Sequence, residues 1–127
     1  MPLIPSEIIR VLGGRHYRLS EAAPRRKNPT KKIAGYVSPA GTEHVYVHLE
    51  NVTGKSALRI HPRHAPLRAR LLELEGVESE SLYTANSNMW RFPNVPESGT
   101  SEPCGIPFTF ESASALRAFL DAFEAAL

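Results

Sequence analysis

Tyr36, His44, Tyr46, His48, Arg59 and His61 fall at alternating positions within the stretch from Lys31 to His61, KKIAGYVSPAGTEHVYVHLENVTGKSALRIH. Rings of this kind stack on nucleobases, and the cations among them neutralise phosphates. Five more basic residues, Arg25, Arg26, Lys27, Lys31 and Lys32, precede the stretch or open it, and Arg63 follows it. A basic run beside an aromatic and basic sheet face is the pattern of a nucleic-acid-binding surface. The run alone, which passes through Pro24 and Pro29, is of the kind that usually forms a mobile, solvated loop.

Other chemistries fit these residues less well. His44, His48 and His61 have the donor type of a zinc site, but no carboxylate or thiolate is placed as a fourth ligand, so neither metal nor cofactor is expected. Thr53-Gly54-Lys55-Ser56 looks like the end of a phosphate-binding P-loop. That loop needs a glycine five residues before its second glycine, and Leu49 occupies the position. Cys104 lies in a Pro-, Ser- and Gly-rich stretch without a basic neighbour to activate it. Glu43 and Glu50 are the only acids near the basic stretch, too few for paired-carboxylate catalysis or a nuclease. No catalytic residue is assigned, and a binding role is expected ahead of an enzymatic one.

Charge is unevenly divided along the chain. Residues 1 to 70 carry 13 Lys and Arg against 4 Glu, whereas residues 71 to 127 carry 2 Arg against 9 Asp and Glu, so a net of +9 faces a net of −7. The first part calls for an anionic partner, DNA or RNA. A second reading is a protein-binding factor, such as an inhibitor, antitoxin or immunity-type protein, docking through the same asymmetry.

The elements that must position these residues follow from periodicity. Alternation predicts strands over 33–37, 44–50 and 56–61, joined by turns at Ser38–Gly41 and Asn51–Gly54 into an antiparallel meander. It assigns Ile33, Val37, Val45, Val47, Leu49, Leu58 and Ile60 to one aliphatic face and the tyrosines and histidines to the other. Ser6 is expected to cap a short first helix ended by Gly13-Gly14, and Arg15–Leu19 to form an edge strand. Pro66 and Gly76 bracket a helix over 67–75, whose Arg68 and Arg70 run against its dipole. Short strands are expected at 81–85 and 89–92, a loop at 93–105 and a last strand at 106–110. Ser112 then caps a helix over 113–126 with Leu116, Phe119, Leu120 and Phe123 on one face, and an exposed Arg117–Asp121 pair.

The expected architecture is α+β: an antiparallel sheet of four to six strands, with the helices at 67–75 and 113–126 packed on its aliphatic face. A chain of 127 residues suits one domain, 1–127. A single cysteine excludes an internal disulfide, and no apolar stretch is long enough for a membrane span or signal peptide, so a cytoplasmic protein without a membrane partner is expected.

Overall fold

The computed structural model describes residues 2–50 and 57–127, and its longest strand pairs with three others. That strand, β7 (Cys104–Phe110), is buried at six of its seven positions. The others are β1 (Arg18–Leu19), β2 (Ile33–Val37), β3 (His44–His48), β4 (Leu58–Ile60), β5 (Val77–Glu78) and β6 (Thr84–Ala85). All pairings among these are antiparallel, in the order β1-β2-β3-β4-β7-β5, with β6 pairing further along β7. The fold is therefore α+β, with a seven-stranded antiparallel sheet among the described residues.

One face of the sheet carries the main core. The C-terminal helix α3 (Ala113–Ala125) starts where the Ser112 hydroxyl accepts the Ala115 amide at 3.1 Å. Its buried stripe of Leu116, Phe119, Leu120 and Phe123 joins Val45, Val47, Leu58 and Ile60 in one cluster, with Leu49 packed against it. The rings of Phe108, Phe110, Phe119 and Phe123 meet at centroid distances of 4.8 to 5.9 Å. Helix α1 (Pro5–Gly14) adds Ile8, Val11 and Leu12 to the same cluster. The far end of α1 is tied to α3 by Arg15, whose Nη2 lies 2.7 Å from Asp121 and 2.9 Å from Glu124. Asp121 therefore pairs with Arg15, and the expected Arg117–Asp121 pair does not form.

Several boundaries depart from expectation for local reasons. Pro5 opens α1 at its first turn, where its missing N–H costs nothing, so the cap position falls on Ile4 and not on Ser6. The expected helix at 67–75 is a 3₁₀ turn, Pro62–Leu67, followed by only four α-helical residues, α2 (Arg68–Leu71). Arg68 is not held against a helix dipole; its guanidinium donates to the Ser79 hydroxyl and carbonyl at 3.1 to 3.3 Å. Gly76 takes the expected left-handed conformation, φ 78°, and a Cβ there would come within 3.0 Å of Ala115. Residues 89–92 form turns and not a strand, and Cys104 is buried as the first residue of β7. The turn at Asn51–Gly54 and the Thr53–Ser56 motif lie outside the described residues. Among those that are described, no helix is long and apolar enough to cross a membrane.

The second face of the sheet is also covered, and this bears directly on function. The β2–β3 register pairs Tyr36 with Val45 and Ile33 with His48, and antiparallel partners share a face. Ile33 and Val37 thus lie on the face of His44, Tyr46 and His48, while Tyr36 belongs to the aliphatic side and packs on the main core. Across Tyr46 runs the segment from Asn86 to Phe92. Met89 and Phe92 close over Ile33 and Tyr46 as a second, smaller core.

Candidate nucleic-acid interface

Burial separates the expected site residues into two groups. Tyr46 is 3% exposed, its ring 4.8 Å from that of Phe92 and its hydroxyl accepting the Arg91 amide at 3.2 Å. Arg59, its neighbour across the β3–β4 ladder, is 5% exposed with Nη1 3.7 Å from Met89 Sδ. Burial pulls the Arg59 guanidinium down to about 10, against a smaller opposing pull from Glu80, so it stays charged at neutral pH. Tyr36 is half-buried on the opposite face. The continuous aromatic platform expected from Tyr36 and Tyr46 does not exist: the β2–β3 register separates the two rings, and the 86–92 segment covers the second.

The three histidines of the expected face are half-buried; two of them are engaged, whereas the buried Nδ1 of His48 has no hydrogen-bond partner among the described residues. His44 Nδ1 lies 2.9 Å from the Ser20 hydroxyl, and His61 Nδ1 accepts the Arg63 amide at 3.0 Å while its ring meets Phe92 edge-on at 5.3 Å. Among the described residues no three His, Cys, Asp or Glu side chains converge as a metal-holding group. Burial is the first cause that lowers His44, His48 and His61 below 6.5, helped respectively by Arg91, Arg59 and Arg63. A base whose folded pKa is depressed binds its proton more readily when unfolded. Stability from this source is complete above about pH 6.5 and falls with acidification until the folded pKa is passed. Urea midpoints taken from about pH 7.5 down to 5 are expected to drop, and His48→Gln to drop less; a midpoint that rises on acidification contradicts the assignment.

The second group is the basic edge. Arg25, Arg26, Lys27, Lys31 and Lys32 are all exposed, and among the described residues none is paired with a carboxylate. The loop bearing them, between β1 and β2, is nonetheless fastened to the sheet. Asn28 donates its amide to the Ser20 and Gly35 carbonyls at 2.8 and 2.9 Å and accepts the Gly35 amide at 2.7 Å. Thr30 Oγ1 accepts the amides of Lys32 and Ile33. Gly35 is required at this point, because a Cβ would come within 2.9 Å of the Tyr46 ring. At the tip, Ala23 and Arg26 exchange backbone hydrogen bonds around Pro24 and Arg25, with Arg25 at φ 63°. A proline followed by a left-handed residue is the geometry of a tight turn that usually takes glycine at Arg25's place.

Facing this loop is Trp90, which lies in a turn where a strand over 89–92 is expected from the sequence. Trp90 is half-buried, with the Arg91 guanidinium 4.4 Å from its ring centroid, and Arg91 Nη2 donates to the Glu21 carbonyl at 2.8 Å. Trp90 and Asn88 form one wall of a depression of about 250 Å³ whose other wall is Arg25, Arg26, Lys27 and Thr30. The signal available in the sequence was the single tryptophan, followed directly by an arginine. Residues 1–123 match the family model described as Protein of unknown function (DUF2002).

The chain belongs to that family. No curated protein matches it. The DUF2002 match takes in the basic loop, Trp90 and most of α3, so the depression is built wholly from residues within the family region.

Arg63, the last expected site residue, is exposed but engaged elsewhere. Its guanidinium contacts the carboxylate of Glu43, which is 2% exposed and whose other oxygen lies 2.5 Å from His64 Nε2. The edge of the His64 ring meets Phe123 at 5.0 Å, which fixes the 3₁₀ turn against α3. Arg63 therefore belongs to a charged brace under the C-terminal helix and not to the basic edge.

Proposed function

We propose that this protein is a small nucleic-acid-binding module whose interface is the basic edge, residues 25–32 with Trp90, and not the open sheet face suggested by alternation alone. The observation that carries the reading is the cluster of exposed cations on a loop fastened by Asn28, without carboxylate partners among the described residues and beside a half-exposed tryptophan. Cations held in place lose less freedom on binding than those of a loose tail, so more of the phosphate attraction survives as affinity. The sheet order adds a field to this local charge. It sets the β1–β2 loop at one edge, whereas Glu75, Glu78 and Glu111 cluster around Gly76 near the other. A molecule polarised in this way approaches a polyanion basic edge first.

The acidic edge supports the second reading, a protein-binding factor that docks a basic partner there. The two readings separate in a salt series with DNA and RNA oligonucleotides. For a nucleic-acid binder, log affinity for a single strand should fall linearly with log salt, with a slope near −3.5 when all five cations take part, at about −0.7 for each phosphate neutralised. Absence of binding at about 50 mM salt, where phosphate contact is favoured, removes the nucleic-acid reading and leaves the protein partner.

A further inference from the structure

Cations on a loop attract any phosphodiester, whether duplex or single-stranded. The depression beside them is more selective, since one of its walls is an aromatic ring. In a duplex the bases are stacked and paired, so a ring fixed in a recess reaches only sugar and phosphate. An unpaired base can swing into such a recess and stack.

Four observations make the depression a built surface. Arg91 covers the indole at 4.4 Å and is itself anchored to the Glu21 carbonyl, so the ring is held from one side. The backbone beneath it is fixed, because the Arg91 amide donates to the buried Tyr46 hydroxyl. The Asn88 amide nitrogen is bound to the Asn86 side chain at 2.8 Å, which orders the turn and places Asn88 in the lining. Opposite these stand Arg25, Arg26 and Lys27, with Arg25 kept in a left-handed conformation that glycine would take more readily.

We infer that the depression between the 25–30 loop and the Asn88–Trp90 turn is a nucleotide subsite for single-stranded nucleic acid, with one base stacked on Trp90 and its flanking phosphates on Arg25, Arg26 and Lys27. The inference rests on the nucleic-acid reading above and narrows it to a substrate class. The Asn88 side chain offers the seated base both a donor and an acceptor. Stacking tolerates any base, so the site discriminates strandedness more strongly than sequence.

Trp90 is the only tryptophan in the chain, so its fluorescence reports this subsite alone. Titration with oligo(dT) of about 12 nucleotides should quench that emission, while a duplex of equal length binds more weakly and leaves it nearly unchanged. With a labelled oligo(dT) followed by anisotropy, Trp90→Ala should weaken binding about 5- to 150-fold without altering the salt slope, and Trp90→Phe should restore part of the loss. The quenching is read on the unaltered protein, so it decides the matter even where Trp90→Ala folds poorly. Salt-dependent binding of both strand types with no quenching, and no loss in Trp90→Phe or Trp90→Ala, overturns the subsite while the wider reading stands. Failure of both oligonucleotides to bind overturns the two together.

Discussion

Tyr46→Ala is expected to lower folding stability by about 3–5 kcal/mol, the range for truncating a large buried ring to alanine. Tyr46 is 3% exposed and stands at the centre of the second core, touching Phe92 and closing over Gly35. Its loss leaves a cavity between β3 and the 86–92 segment, and the Arg91 amide loses its acceptor as well. Tyr46→Phe keeps the ring and removes only the hydrogen bond, so it should cost roughly 1 kcal/mol. Urea unfolding of both variants provides the check. An alanine variant as stable as the parent would mean that the ring is free, and would reopen the sheet face as a stacking platform.

His64→Leu should have an effect of similar size for an electrostatic reason. Glu43 is 2% exposed, and its two oxygens are held by His64 and Arg63. Leucine preserves much of the packing against Phe123 while removing the nitrogen that faces Glu43. Taking a hydrogen-bond partner from a buried carboxylate costs about 3 kcal/mol, because the oxygen it faced is left unsatisfied. Adding Glu43→Leu removes the stranded carboxylate, and the double variant should recover most of the loss. A double-mutant cycle by urea unfolding measures this coupling. Independent, additive losses would contradict it.

These two variants probe the parts of the molecule that alternation could and could not reveal. β3 was legible because His44, Tyr46 and His48 alternate strictly with Val45 and Val47, and its aliphatic side is buried in the core that α1 and α3 share. β2 was misassigned in face, since Ile33, Val37 and Val45 look alike by type. Their relative faces depend on the register that the Ser38–Glu43 connection sets, which pairs Val37 with His44. A strand covered on both sides also loses its amphipathic signature, and four of the five β2 residues are buried. The lid that covers the second face could not be read because residues 86–92 are turns, which carry no periodicity. Arg59 and Tyr46 are consequently structural, although their types suggested contact with a ligand. The basic loop was visible from composition alone; its fastening by Asn28 was not, because the three bonds to Ser20 and Gly35 depend on the tertiary fold. Trp90 joins it only through the path of the 86–92 segment, which brings residue 90 to residues 25–30.

The central claim, that cations of the 25–32 loop form the nucleic-acid interface, is tested most directly by the salt dependence of oligo(dT) binding in the Arg25→Ala/Arg26→Ala/Lys27→Ala variant. All three side chains are exposed and free of carboxylate partners among the described residues, so the variant should unfold at the same urea concentration as the parent. If these residues neutralise three phosphates, the slope of log affinity against log salt should become shallower by about 2, at roughly 0.7 per phosphate for a single strand. A folded triple variant that binds with the parent's affinity and slope would place the interface elsewhere and contradict the account.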